Sequence, residues 1–475
     1  LALFAFHSFS SLSSQEKPNI VLMLVDDLGW MDLSCQGSDF YETPNIDRLA
    51  KKGVRFDNGY AACAVCSPSR AAVQTGRYPH KTGVTDWIRS RFQGGKIPEN
   101  KANPCWKPQS EWLNTNNKKK KLLVPHNALW LEKDEITLAE LLKPAGYTSC
   151  FVGKWHLGAD DWYPTKQGFD YNFGGCDYGQ PPSYFDPYNN PKHRHEHIRK
   201  GIPGLPGRKA GEYLSDREAD EAVAFIEKHH KKPFFLMLAN YAVHTPIQAK
   251  ADVTEKYVKK YTDQKQSNAK YAAMVESVDD AMGKIMKTLD RLELTDNTLV
   301  IFTSDNGGLS KVTNNEPLRS GKGYAYEGGL RVPFIAKWPQ KIKPDQVLNT
   351  PVISMDIFPT LAHAAGLENM PVKSDGLDIV QLMQKPKQRN TLYWHFPHYR
   401  HSPGPYSIIR EGDWKLIKWY EGPKELYNLK EDLSESKDLS KQMPEKVAHL
   451  EKKLMAHLKQ NTDRIPVPNP DYVAK

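Results

Sequence analysis

Four short, uninterrupted apolar runs leave few folds open to this chain. Asn19 to Val25 (NIVLMLV) runs into Asp26-Asp27, and Thr148 to Val152 (TSCFV) runs into Gly153-Lys154-Trp155-His156. Pro233 to Asn240 (PFFLMLAN) leads to His244, and Leu299 to Thr303 (LVIFT) runs into Ser304-Asp305-Asn306-Gly307. Runs of this length without alternation are what strands buried on both faces look like. Segments of helical spacing lie among them: Thr43 to Gly53, Ile136 to Ala145, Asp216 to His229 and Tyr271 to Leu292. This alternation predicts an α/β fold with a mainly parallel central sheet flanked by helices. Such sheets bind ligands beyond the carboxyl ends of their strands. All four runs place charged or amide side chains at that end.

The 475 residues allow two or three domains, or one large body with an appendage. After about Lys385 the pattern changes to short, alternating, turn-separated runs: Thr391 to Phe396, Tyr406 to Arg410 and Trp414 to Trp419. A helical stretch near Glu445 to Gln460 follows. The expected division is residues 17–385 as the main body and 386–475 as a smaller antiparallel sheet with a helix. Leu1 to Phe6 and the Ser-rich stretch after it read as the remnant of a secretory signal over 1–16, so the protein is expected to be exported, periplasmic or secreted. No internal apolar run reaches the ~20 residues of a membrane-spanning helix, so no stable membrane insertion is expected.

Sixty-five Lys and Arg against 56 Asp and Glu give a formal charge of +9, which admits an anionic partner without naming one. The basic run Lys118 to Lys121 has no aromatic platform beside it and reads as a solvated loop, so no nucleic acid is expected. Six cysteines are too few and too scattered for a disulfide framework. Cys63 and Cys66 have CxxC spacing, but neither a second ligand pair nor a redox context accompanies them. His193, His195 and His197 alternate within the Pro-, Gly- and His-rich stretch 181–211 and read as a solvated loop.

The densest chemistry lies in Cys66-Ser67-Pro68-Ser69-Arg70, closed by Thr75-Gly76-Arg77. Ser67 and Pro68 make a good N-cap and first helical position, with Gly76 ending the helix. Cys66 then stands at a helix N-terminus that favours an anion, with Arg70 one turn on. A cysteine-phosphatase loop needs five residues between Cys and Arg, and here there are three. The spelling C-S-P-S-R-x4-T-G-R resembles the signature of the type I sulfatases. In that family this cysteine is oxidised to formylglycine by a formylglycine-generating or anaerobic sulfatase-maturing enzyme. The resemblance runs from about Lys17 to the C-terminal tail and implies an alkaline-phosphatase-like fold. Within it the sequence is most similar to bacterial exported sulfatases of the arylsulfatase A and N-acetylgalactosamine-sulfatase type.

The resemblance assigns roles residue by residue. Asp26, Asp27, Asp305 and Asn306 match the metal-binding pairs, with modified Cys66 completing the shell. Hard oxygen donors favour Ca2+ or Mg2+ over zinc, and the family points to one Ca2+. Lys154 and His156 match the family's G-K-W-H-x-G element, His244 a histidine after a later strand, and Lys322 a sulfate-contacting lysine. The implied chemistry is in-line attack on sulfur by a hydrated aldehyde, with Asp305 as base. Arg70, Lys154 and Lys322 offset the sulfate's charge, and His244, with Lys322, protonates the departing alcohol. His156 then takes a proton from the second hydroxyl, so that sulfate leaves.

The expected substrate is a sulfated carbohydrate, with galactose or N-acetylgalactosamine esters in a glycosaminoglycan or algal polysaccharide first. The aromatic and basic segment Trp394 to Arg400 is either a sugar-facing platform or an interface cluster. The alternatives are a phosphatase or phosphodiesterase of the alkaline-phosphatase superfamily, which needs a two-metal His/Asp cluster, and a non-catalytic binder of sulfated glycans.

Overall fold

The structure is a computed structural model describing residues 17–89, 99, 101–103, 113–114, 118–260, 265–386 and 389–474. The signal-like segment 1–16 and Cys105 lie outside the described residues. An eight-stranded sheet forms the centre. Its strands are β1 (Asn19–Val25), β2 (Val54–Phe56), β3 (Thr148–Gly153), β4 (Tyr171–Phe173), β5 (Phe234–Ala239), β6 (Thr298–Ser304), β7 (Phe334–Lys337) and β8 (Gln346–Leu348). Their spatial order is β8-β2-β7-β6-β1-β5-β3-β4. Every pairing is parallel except those of β7, which runs antiparallel to β2 and β6.

All four apolar runs of the sequence are strands at the middle of this sheet. Every residue of β1, β5 and β6 is buried, because helices cover both faces. Val21, Met23 and Val25 pack with Phe225, Met282 and Ile285, which lie on α3 (Leu214–His229) and α4 (Ala269–Arg291). Ile20, Leu22 and Leu24 face the opposite layer, with Ala71, Val73 and Leu361. Alternate residues of one strand therefore feed two separate cores. The expected helix at Thr43 forms as α1 (Pro44–Lys51), with proline at its first position. The stretch at 136–145 becomes a capped helix, Leu138–Leu142, followed by a 3-10 turn at Lys143–Ala145.

A second, four-stranded antiparallel sheet contains β9 (Thr391–Phe396), β10 (Tyr406–Glu411), β11 (Trp414–Trp419) and β12 (Lys424–Asn428). One face packs Ile409, Leu416 and Leu426 against Leu450, Leu454 and Leu458 of α5 (Pro444–Asn461). The other face presses Trp394, Phe396, Ile408 and Trp419 onto Tyr60, Val65 and Met355 of the main body. Trp394 is 2% exposed and its indole donates to the Ala61 carbonyl, so this part of the 394–400 segment is interface.

The basic run at Lys118 to Lys121 is exposed. The rings of His193, His195 and His197 lie against one another, 5.4 and 5.5 Å apart in sequence order. The five described cysteines are free thiols. Among the described residues no helix is long and apolar enough to cross a membrane.

Candidate active site

Parallel pairing brings the two acidic pairs together. β1 and β6 run in register to Val25 opposite Ser304, so Asp26-Asp27 and Asp305-Asn306 leave the sheet side by side. All four side chains are buried. The Asp27 amide donates to Asp305 Oδ1 at 3.2 Å, and the Asn306 amide nitrogen donates to Asp27 Oδ1 at 2.8 Å. Asp27 holds a left-handed backbone (φ 62°), uncommon for a residue with a side chain. The Tyr271 hydroxyl bonds its carbonyl at 3.3 Å.

Three cations meet these carboxylates. Lys154 reaches in from the end of β3 and donates to Asp26 Oδ2 at 2.6 Å with no exposed surface. Lys322 contacts both oxygens of Asp27, at 2.6 and 2.8 Å. Arg70 donates from Nε to Asp305 Oδ2 at 2.8 Å and from Nη1 to the Lys154 carbonyl. Gly153 makes the Lys154 turn possible: its φ is 96°, and a Cβ there would sit 2.1 Å from the Ala239 carbonyl oxygen.

The signature helix, α2 (Cys66–Thr75), is fully buried and ends at Gly76 in a left-handed conformation. It starts two residues earlier than the sequence suggests, because Val65 takes the N-cap position in place of Ser67 and no side chain caps it. Ser67 is instead a brace. Its hydroxyl donates to the His156 carbonyl at 3.1 Å and accepts from the Ile88 amide at 3.0 Å.

Cys66 Sγ lies 3.4 Å from His156 Nδ1, and the other ring nitrogen lies 2.6 Å from the Ile88 carbonyl. A carbonyl only accepts, so Nε2 carries the hydrogen and Nδ1 turns an open lone pair towards residue 66. His244 follows β5. Its Nδ1 bonds the Thr245 carbonyl at 2.9 Å, its Nε2 lies 3.5 Å from Asp27 Oδ2, and the Tyr184 hydroxyl holds its carbonyl at 2.8 Å.

Burial and neighbouring charge set the electrostatics. Burial pushes the Asp26 carboxyl well up against the pull of Lys154, and Asp305 and Asp27 add to it. Burial raises Asp27 and Asp305 too, but Lys322 with His244 and Lys154 together outweigh it for Asp27, and Arg70 with Lys154 and Lys322 for Asp305, so both stay low. Burial and the nearby lysines keep both histidines neutral: His156 well below its ordinary value, His244 down to about 3.

The residues fit a hard cation. Asp26, Asp27 and His244 each offer a ligand atom, all within 4.8 Å of one another, and this is the one such group among the described residues. Asp305 is not in that group, and its oxygens accept from Arg70 and the Asp27 amide. Asp26 Oδ1 and Asn306 Oδ1 are buried without any hydrogen-bond donor. Such orphaned oxygens lose free energy unless a cation or water satisfies them.

A cavity of about 180 Å3 opens over these residues, lined by Cys66, His156, Gly179, His244 and Lys322 together with Trp87 and Arg400. Trp87 and Arg400 were not legible as site residues. Arg400 lay inside a segment that read as platform or interface, and Trp87 stands in no motif.

Comparison with known proteins agrees with this geometry. The Sulfatase family matches residues 18–367, and the family described as N-sulphoglucosamine sulphohydrolase, C-terminal, matches 320–464. A sulfatase of Formosa agariphila is 32% identical, over 97% of this chain and 94% of its own. The N-acetylgalactosamine-6-sulfatase of Mus musculus is 36% identical, over 78% of this chain and 67% of its own. The crystal structure of Ps i-CgsB in complex with k-i-k-neocarrahexaose superposes with a TM-score of 0.77 at 32% identity, covering 97% of this chain and 95% of that one. The chain belongs to the sulfatase family, as a type I member. It is a sulfuric ester hydrolase.

Proposed function

We propose that this enzyme hydrolyses sulfate esters of a carbohydrate, using formylglycine made from Cys66 and one Ca2+. The observation that carries the reading is Cys66 facing the open lone pair of His156 at the mouth of a cation-lined cavity. Asp26, Asp27, Asp305 and Asn306 would hold the ion, with residue 66 adding an oxygen. When bound, Ca2+ supplies Lewis-acid stabilisation of sulfate oxygens and lowers the pKa of a coordinated hydroxyl. The modification supplies two hydroxyls on one carbon where cysteine has a single nucleophilic atom.

The chain's own groups divide the remaining work. Asp26, Asp27 and Asp305 balance Arg70, Lys154 and Lys322 in number, so a divalent ion would turn the site positive, as a sulfate monoanion requires. Arg70, Lys154 and Lys322 then stabilise charge in a buried site where each contact is stronger than in water. His156, neutral and held by the Ile88 carbonyl, is poised to take a proton from residue 66. Lys322 carries the proton for the departing alcohol, and His244, steadied by Thr245 and Tyr184, stands beside it and can pass one on once it has taken it up, while Asp305 serves as the first base.

The carbohydrate reading is supported by the relatives' names, which bring N-acetylgalactosamine 6-sulfate, glycosaminoglycan metabolism and a neocarrahexaose complex. Galactose or N-acetylgalactosamine sulfate esters are the proposed class. We also propose export, maturation by a formylglycine-generating or anaerobic maturing enzyme, and a division into residues 17–385 and 386–475. The test is the mass of the tryptic peptide carrying residue 66, paired with sulfate release from 4-nitrophenyl sulfate with and without chelator. Turnover should require both the aldehyde mass and the metal, and Cys66→Ser should lose at least about 10^4-fold in kcat. Full activity with plain cysteine at 66 would sink the proposal.

A further inference from the structure

The sulfate-facing cations account for only one wall of the cavity. The loop after β9 brings Arg400, and the segment before Ile88 brings Trp87, to the lining of the same cavity, with Asp86 beside Arg400. Two attachments fix this meeting. The Thr85 hydroxyl bonds His398 Nε2 at 2.7 Å, one residue before Asp86 and two before Arg400. On the other side His401 stacks on Tyr324 at 3.9 Å between ring centres and hydrogen-bonds the main chain of Lys322. Gly323 leaves the room: a Cβ there would sit 2.5 Å from Arg400 Nε and 2.7 Å from His401 Nε2.

Arg400 Nη1 and Asp86 Oδ1 stand 3.9 Å apart, too far for a hydrogen bond, with side chains 26% and 21% exposed. Asp86 Oδ1 accepts the Trp87 amide at 2.8 Å. Among the described residues no donor reaches Asp86 Oδ2, and the Arg400 guanidinium makes no hydrogen bond. A bare arginine beside a cavity would select another anion. An arginine beside a carboxyl group no longer presents a bare cation, and the two offer a donor and an acceptor a few ångströms apart. That combination matches a hydroxyl, which both accepts and donates, or two adjacent hydroxyls. Trp87 supplies the apolar wall that sugar faces pack on.

We infer that Asp86 and Arg400 form a fork that reads hydroxyls of the sugar bearing the scissile sulfate, with Trp87 as its wall. The second sheet, through Arg400, thereby completes substrate selection in a site whose sulfate-binding groups all come from the main body. This rests on the carbohydrate reading above. The fork separates sugar sulfates from aryl sulfates, which carry no hydroxyl for it to hold.

The experiment compares kcat/KM of the matured, Ca2+-loaded enzyme for 4-nitrophenyl sulfate with that for galactose and N-acetylgalactosamine monosulfates. Monodeoxy analogues of the best sugar follow. Arg400→Ala and Asp86→Asn should each lower the sugar-to-aryl ratio about 30-fold or more. One deoxy analogue should be rejected by the wild type to a similar degree, and that discrimination should collapse towards one in both variants. A structural role alone would lower both substrates together and keep the deoxy discrimination, and either result overturns the fork while leaving the carbohydrate reading intact. A wild type that cleaves 4-nitrophenyl sulfate but none of the sugars overturns the carbohydrate reading and the fork with it.

Discussion

The protein buries two clusters of opposite charges, one at the ends of β1 and β6 and one where the second sheet meets the main body. The interface cluster is closed by the protein itself. Glu327 Oε2 accepts from Tyr60 at 2.7 Å and from Arg331 at 2.8 Å, and its Oε1 accepts from Lys415 at 2.9 Å. Lys415 also pairs with Glu435 at 2.8 Å, and Arg410 donates to the Tyr60 hydroxyl at 2.6 Å. Burial raises Glu327, yet Lys415 and Arg331 outweigh it, so the folded protein favours its ionised form. At the site the balance is reversed for Asp26, whose ionised form is disfavoured and whose Oδ1 has no donor. The same residue types at the same depth thus serve opposite ends. One cluster ties its charged groups to one another and holds two layers together, and the other leaves complementarity for a cation and an anion to supply.

The sharpest break of that contrast is Asp26→Asn. Sulfate release should fall about 10^3-fold, since an ion ligand and the charged partner of Lys154 go together. The unfolding free energy of the Ca2+-free protein should fall by clearly less than in Glu327→Gln, because burial already disfavours the carboxylate there and the asparagine oxygen can still accept from Lys154. A large loss of stability would show that the site cluster is structural after all.

Glu327→Gln should do the reverse. Denaturant unfolding should show a loss of about 3–5 kcal/mol, as expected when one partner is removed from a buried ionic cluster. The kcat of the protein that remains folded should stay near wild type. Ca2+ sharpens the distinction: at about 100 times its Kd it should stabilise the wild type by about 2.7 kcal/mol. Glu327→Gln should keep that gain and Asp26→Asn should lose most of it, as read by thermal shift with and without chelator.

The smallest effect concerns pH. Burial raises Glu435 to about 7, partly opposed by Lys415 and reinforced by Glu327. The folded protein therefore holds this proton more tightly than the unfolded chain. The stability it contributes is full below pH 4.5 and is lost as pH rises towards 7. Relative to Glu435→Gln, the wild type should lose about 1–3 kcal/mol across that interval. A difference that stays flat with pH would show that Glu435 is ionised throughout.

Much of the fold was legible because its signals are local. β1, β3, β5 and β6 announce themselves as continuous apolar runs, since a strand covered on both faces has no polar side to show. The second sheet was visible in the turn-separated runs after residue 390. The antiparallel insertion of β7 was not, because nothing within Phe334–Lys337 says which neighbour it will meet. At the site, Cys66, Arg70, Lys154 and His156 stand in spelled motifs. The task Ser67 performs, bracing His156 and Ile88, was misread as a helix cap because the hydroxyl suits either use and only long-range packing chooses.

The sequence by itself determined which chemistry is present: hard-oxygen pairs at strand ends, a cysteine at the head of a buried helix, and lysines and histidines in fixed order behind apolar strands. It could do so because residue type and short-range spacing suffice for those statements. Only the tertiary structure decided which groups touch. Asp26 meets Lys154 across 128 positions, Asp27 meets Lys322 across 295, and Thr85 meets His398 across 313. Those meetings depend on strand order and on how one sheet docks against another. Both are set by the summed burial of many side chains, and no single segment of the chain carries that sum.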